Sequence, residues 1–130
     1  MTIQSPHLPE PLLATRESIE ATIRLISSKE GDLFAIVSGS DDRTFMQTLF
    51  TPEGFSLEYQ DGSLEAHHET VRSDLSAEEV VEAFCDYADG NTTRRARFDF
   101  RRREIRSLYY RIGHVVGSFA GRVARLFADR

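Results

Sequence analysis

Residues 44–71 read TFMQTLFTPEGFSLEYQDGSLEAHHETV, and the spacing of their apolar letters decides the fold. Phe55, Leu57 and Tyr59 alternate with Ser56, Glu58 and Gln60, the period-2 pattern of a strand with one face buried. Asp61-Gly62 supplies the turn of a two-residue hairpin. Pairing Gln60 with Ser63 then sets Tyr59 opposite Leu64 and Leu57 opposite Ala66 on the core side. On the other face Glu58 meets Glu65 and Ser56 meets His67. Upstream, Thr51-Pro52-Glu53-Gly54 fits a type I turn. Three antiparallel strands in a meander are expected here.

Working outward, residues 33–37 form the continuous apolar run LFAIV before Ser38-Gly39-Ser40-Asp41-Asp42. Such a run fits a central strand buried on both faces, followed by a hairpin loop in which Asp41 and Asp42 are turn residues. Before it, Ile19, Ile23 and Ile26 share one face of a helix beginning at Thr15 or Ser18 and running to Ser28, with Gly31 placed as its C-cap. Residues 1–14 hold Pro6, Pro9 and Pro11 and show no period, so a flexible lead-in is expected. After the meander, Ser76 and Glu79 form a capping box, and Leu75 and Val80 the accompanying staple. This second helix should bury Ala77, Val80, Val81, Phe84 and Ala88 and end at Gly90. Arg97-Phe98-Asp99-Phe100-Arg101 alternates again, as a fifth strand with both phenylalanines inward.

From about Ile105 the period is helical. Tyr109, Ile112, Val116, Phe119, Val123 and Leu126 follow 3-4 spacing, the seam of a helix that packs lengthwise on another surface. Gly113, Gly117 and Gly121 run beside the seam, and each costs about 1 kcal/mol relative to alanine in a helix. Close approach by a neighbour would offset that cost. Three readings follow. The helix covers its own domain, or pairs with its copy in a homodimer through Tyr109, Ile112, Gly113, Val116, Gly117, Phe119, Gly121 and Val123, or lies on an anionic membrane surface. Packing or dimerisation is preferred, because the apolar run 112–121 is interrupted by His114 and too short to span a bilayer. The expected organisation is a lead-in over 1–14, an α+β domain over 15–104 and an amphipathic helix over 105–130. Its antiparallel sheet has about five strands, with helices packed on one side.

The chain has 130 residues, 40% hydrophobic and 28% charged, enough for one core without disulfides and unlike a disordered chain. Cys85 is the only cysteine. It points to a reducing compartment, and with no basic n-region and apolar run near the start, to the cytoplasm. The net charge of −5 hides a division: residues 94–130 carry eleven of the fifteen arginines against Asp99, Glu104 and Asp129, while 1–93 carry eighteen acids against five basic residues. Mutual neutralisation of an acidic body and a basic tail is preferred over nucleic-acid binding, since an acidic chain is repelled by polyanions at long range. The arginine stretch 94–106 also lacks interleaved stacking aromatics.

Glu58, Glu65, His67 and Glu69 converge on the outward face of the meander, where a glutamate opposite a glutamate destabilises a sheet. The face is read as solvated, as partner-binding, or as an acid/base or metal site. No nucleophile or phosphate loop accompanies it, and His67 and His68 point to opposite faces and cannot clamp one ion. No cofactor or metal is expected, and no catalytic residue is assigned. His68 should lie on the core side near Phe55 with a hydrogen-bonded ring, and Cys85 should be a packing residue.

This order of LFAIV strand, FMQTLF, GFSLEYQDG, SAEEVVEAF helix, YADG and FDF resembles a family of bacterial immunity proteins. The resemblance covers residues 16–104 and rests on Gln47, Glu58-Tyr59 before Asp61-Gly62, and Glu79 to Tyr87 before Gly90. Where the family has a tryptophan in its last strand, this chain has Phe98 and Phe100, and the arginine-rich final helix lies outside the family pattern. Members are encoded beside polymorphic toxins, often nucleic-acid deaminases or nucleases, and neutralise them by binding. The resemblance implies a non-enzymatic protein that occludes a cognate toxin. The expected docking face comprises Glu58, Gln60, Asp61, Glu65, His67 and Glu69. The alternative is an assembly or membrane-peripheral module acting through residues 105–130.

Overall fold

The computed structural model describes residues 1–28, 33–41, 43–91 and 98–102. The expected helix over 105–130, with its seam and glycines, lies outside the described residues, as do Gly31 and Asp42. The chain folds as α+β. The strands are β1 (Thr2–Gln4), β2 (Leu12–Leu13), β3 (Phe34–Ser38), β4 (Thr44–Thr51), β5 (Gly54–Asp61), β6 (His67–Thr70) and β7 (Phe100–Arg102). They form one open sheet in the order β2-β1-β3-β4-β5-β6-β7, every pairing antiparallel. Helix α1 (Arg16–Ser27) follows β2 and helix α2 (Ala77–Ala88) follows β6.

The sheet therefore has seven strands among the described residues rather than about five. The two added strands correct the expectation of a loose lead-in. Ile3 pairs with Leu12 on one side and Val37 on the other, and its side chain is wholly buried. Strands of two or three residues are too short to display a period, so pairing and burial of one isoleucine hold them.

Both helices start as their caps dictate. Thr15 accepts from the Ser18 amide and Ser18 Oγ accepts from the Thr15 amide; Ser76 and Glu79 form the same reciprocal pair. Each box satisfies two backbone donors that a helix start leaves without partners. Gly90, at φ +76°, follows the C-cap Asp89. Ile19, Ile23 and Ile26 of α1 and Val80, Val81 and Phe84 of α2 are buried against Ala35, Val37, Met46, Phe55 and Leu57 from one face of the sheet. Each such large side chain contributes about 1.5–3 kcal/mol by leaving water. Ala77, expected inside, is exposed; Ala83, Cys85 and Tyr87 are buried instead. Phe98 and Phe100 lie against the same core, edge to face at 6.1 Å.

The β4–β5 hairpin matches expectation: Thr51 pairs with Gly54 across Pro52-Glu53. The next connection does not. Leu64–Ala66 makes a turn of 3-10 helix, so Gln60 pairs with His67, Tyr59 with His68 and Glu58 with Glu69. The register is displaced by four residues from the two-residue hairpin. An even displacement leaves the paired residues 58–60 and 67–69 on their expected faces, which is why the alternation survives the change. Gly62 alone takes positive φ there.

Candidate functional site

The face of the sheet turned away from both helices carries most of the residues proposed from sequence for docking, and they are not at the surface. Glu58 is 1% exposed, Gln60 and His67 are 0% and Glu69 is 7%. Only Asp61 and Glu65 of the set are exposed, beside and within the turn before β6. An open acidic face made of all six is thereby corrected. The same face buries Phe34, Ile36, Phe45 and Leu49, which the registers place in line with the polar residues.

Gln47, Glu58, Glu69 and Arg101 stand abreast on four neighbouring strands. Gln47 Nε2 donates a short hydrogen bond to Glu58 Oε2, and Arg101 Nε donates to Glu69 Oε1 at 2.9 Å. The register replaces the expected Glu58–Glu65 pair with Glu58–Glu69, and each of these glutamates is engaged by a donor from its own far side, which offsets their repulsion. Gln60 Nε2 donates to the Arg43 carbonyl at 2.9 Å, turning Gln60 Oε1 toward His67 Nδ1 at 3.2 Å. That amide oxygen can only accept, so Nδ1 carries the proton. His67 Nε2 then faces Glu58 Oε2 at 3.6 Å.

A glutamate beside a histidine is a proton-transfer pair wherever a substrate can reach it. Here both side chains are enclosed, and the bonds of Gln47, Glu58, Gln60 and His67 link β4, β5 and β6. Among the described residues no three or more His, Cys, Asp or Glu come together as a metal site. His68 lies on the helix side as expected, but it stacks on Tyr59 at 4.9 Å rather than meeting Phe55, and its Nδ1 lies 3.2 Å from the Ala66 carbonyl oxygen. Cys85 is buried, and burial pushes its thiol pKa up, away from the thiolate.

A groove open to solvent lies between the helices, about 450 Å³ in volume, lined by residues that include Arg16, Glu20, Ile23, Arg24, Glu78, Val81 and Glu82. The helices run antiparallel, since Arg16 at the start of α1 bonds Glu82 within α2 through both guanidinium branches, at 2.9 and 3.3 Å, while Ser27 and Ala77 line the same groove. Arg16 also lies 3.5 Å from Glu20, and the hydrogen bond to Glu82 holds its pKa above the usual arginine value. Glu78 is exposed at the rim. One trace of this groove is present in the letters, Arg16, Glu20 and Arg24 spaced by four on α1 and Glu78 and Glu82 spaced by four on α2, but nothing places the two helices side by side.

No protein-family model matches the chain, nor does any curated protein or solved structure. Among the described residues no helix is long and apolar enough to cross a membrane.

Proposed function

We propose that the protein is a non-enzymatic, cytoplasmic binding protein of the immunity type, which neutralises a cognate bacterial toxin by occluding it. The docking surface in this reading is the outer side of the helix pair. One observation carries it: the interhelical groove is lined by the buried Ile23 and Val81 together with charged residues, Glu20, Glu78 and Glu82 beside Arg16 and Arg24. An apolar centre with a charged margin is the usual anatomy of a protein–protein contact. A toxin that handles nucleic acid presents a basic surface, and the three glutamates of the groove outnumber its two arginines, with Glu78 exposed.

The test pairs this chain with a secreted nucleic-acid-processing toxin taken from the neighbouring genes. Co-expression is expected to protect the host, and the Glu20→Lys/Glu78→Lys double variant is expected to associate roughly tenfold more slowly at low salt, with less change at high salt. An unchanged association rate would place the contact elsewhere. Absence of both binding and protection would remove the immunity reading itself.

A further inference from the structure

We propose that the groove between α1 and α2 takes an arginine side chain of a protein partner, with its guanidinium on Glu78 and its apolar neighbours against the groove. The proposal rests on the reading above that the helix pair is the docking surface, and it names the group which that surface selects. The chain itself shows how a guanidinium is held there. Arg16 reaches from α1 to Glu82 of α2 and donates to both carboxylate oxygens, at 2.9 and 3.3 Å, with Glu20 at 3.5 Å. Such a two-pronged grip needs a planar fork, which arginine has and lysine lacks.

Glu78 precedes Glu82 by four residues and so stands on the same row of α2, one turn away. It lines the same groove and is exposed. Among the described residues no cation is bonded to it. The row therefore has one carboxylate filled from within the chain and the next one open. Arg24, the second cation of the groove, is exposed and pairs with neither Glu78 nor Glu20 among the described residues. The charge of the whole layer favours a cation from outside. The two helices hold two arginines against six acids, and α2 has no basic residue. Glu78 also sits in the first turn of α2, where the helix dipole keeps a carboxylate ionised. An exposed ion pair alone adds little affinity. Glu78 thus sets the choice of side chain, while contact along the groove, with Ile23 and Val81 in its lining, supplies the area.

The test is a nuclear magnetic resonance titration of the full, isotope-labelled chain with two capped peptides. One is built of leucine and arginine, and the other has lysine in place of every arginine. The arginine peptide is expected to shift backbone amides of α1 and α2 and to bind about two- to fivefold more tightly than the lysine peptide. Glu78→Gln is expected to abolish that preference, and Glu65→Gln, at an exposed carboxylate outside the groove, to leave it intact. Arg16→Gln separates recognition from mere support. It takes the guanidinium off Glu82 and is expected to strengthen binding of the arginine peptide, whereas loss of a structural clamp alone would weaken it. Equal binding of the two peptides, a preference that survives Glu78→Gln, weaker binding to Arg16→Gln, or shifts confined to other elements would each overturn the proposal. Protection of a host against the toxin is read separately. Protection without any arginine preference would overturn this inference and leave the immunity reading standing.

Discussion

Glu58→Ala is expected to lower the free energy of unfolding by about 3–5 kcal/mol, read as a shift in the denaturant midpoint. The carboxylate is 1% exposed, accepts from Gln47 Nε2 and faces His67 Nε2 at 3.6 Å. Removing it leaves the buried Gln47 donor without its acceptor and opens a space among packed strands, and an interior polar group stranded in this way costs more than the bond was worth. Glu65→Ala is the matched control. Glu65 is exposed in the turn before β6, so its loss should change stability by no more than about 0.5 kcal/mol. A loss at Glu58 as small as that expected at Glu65 would mean that both glutamates stand in water.

Gly54→Ala is expected to cost about 2–4 kcal/mol by the same measurement. Gly54 has φ +134°, and a Cβ there would lie 2.9 Å from Asp74 Cα and 3.0 Å from both Asp74 C and the Leu75 carbonyl oxygen. All three are backbone atoms, held by the paired hydrogen bonds of Phe55 and Leu75 at 2.9 and 3.0 Å, so no flexible side chain can give way. Gly90→Ala separates the two causes. Its φ is +76° with no atom of the described residues within 4 Å of the added methyl, and the expected cost is about 1 kcal/mol from backbone conformation. Equal losses at both glycines would mean that the crowding at Asp74 relaxes.

Much of the architecture was legible in the letters. The Ser76–Glu79 box, the isoleucines of α1, the run ending at Val37 and the alternation through Tyr59 each state a local preference, and the structure honours all of them. The strands in residues 1–14 were not legible, because three residues cannot show a period and their place depends on the partner strand. The β5–β6 register was hidden for a different reason. Alternation fixes the face but is blind to an even displacement, and the 3-10 turn at Leu64–Ala66 supplies one.

The second face misled for a chemical reason. Gln47, Glu58, Gln60 and His67 read as a solvated or docking surface because charged and amide side chains usually face water. Enclosing them requires that each find partners, and those partners stand on adjacent strands separated in sequence by seven to eleven residues. The sign that the face was not simply polar was present in Phe34, Ile36, Phe45 and Leu49, which share it, but only the register shows that they do. The helix groove needed the same kind of information, the placing of one helix beside another.

The claim on which these conclusions turn is that both faces of the sheet are interior, and carboxyl footprinting tests it without altering the protein. Carbodiimide coupling of the folded chain to a small amine, read by peptide mass spectrometry, should modify exposed Glu53, Glu65 and Glu78 readily. Glu58 should stay unmodified until the protein is unfolded. Modification of Glu58 in the native protein at the rate of Glu65 would contradict the account.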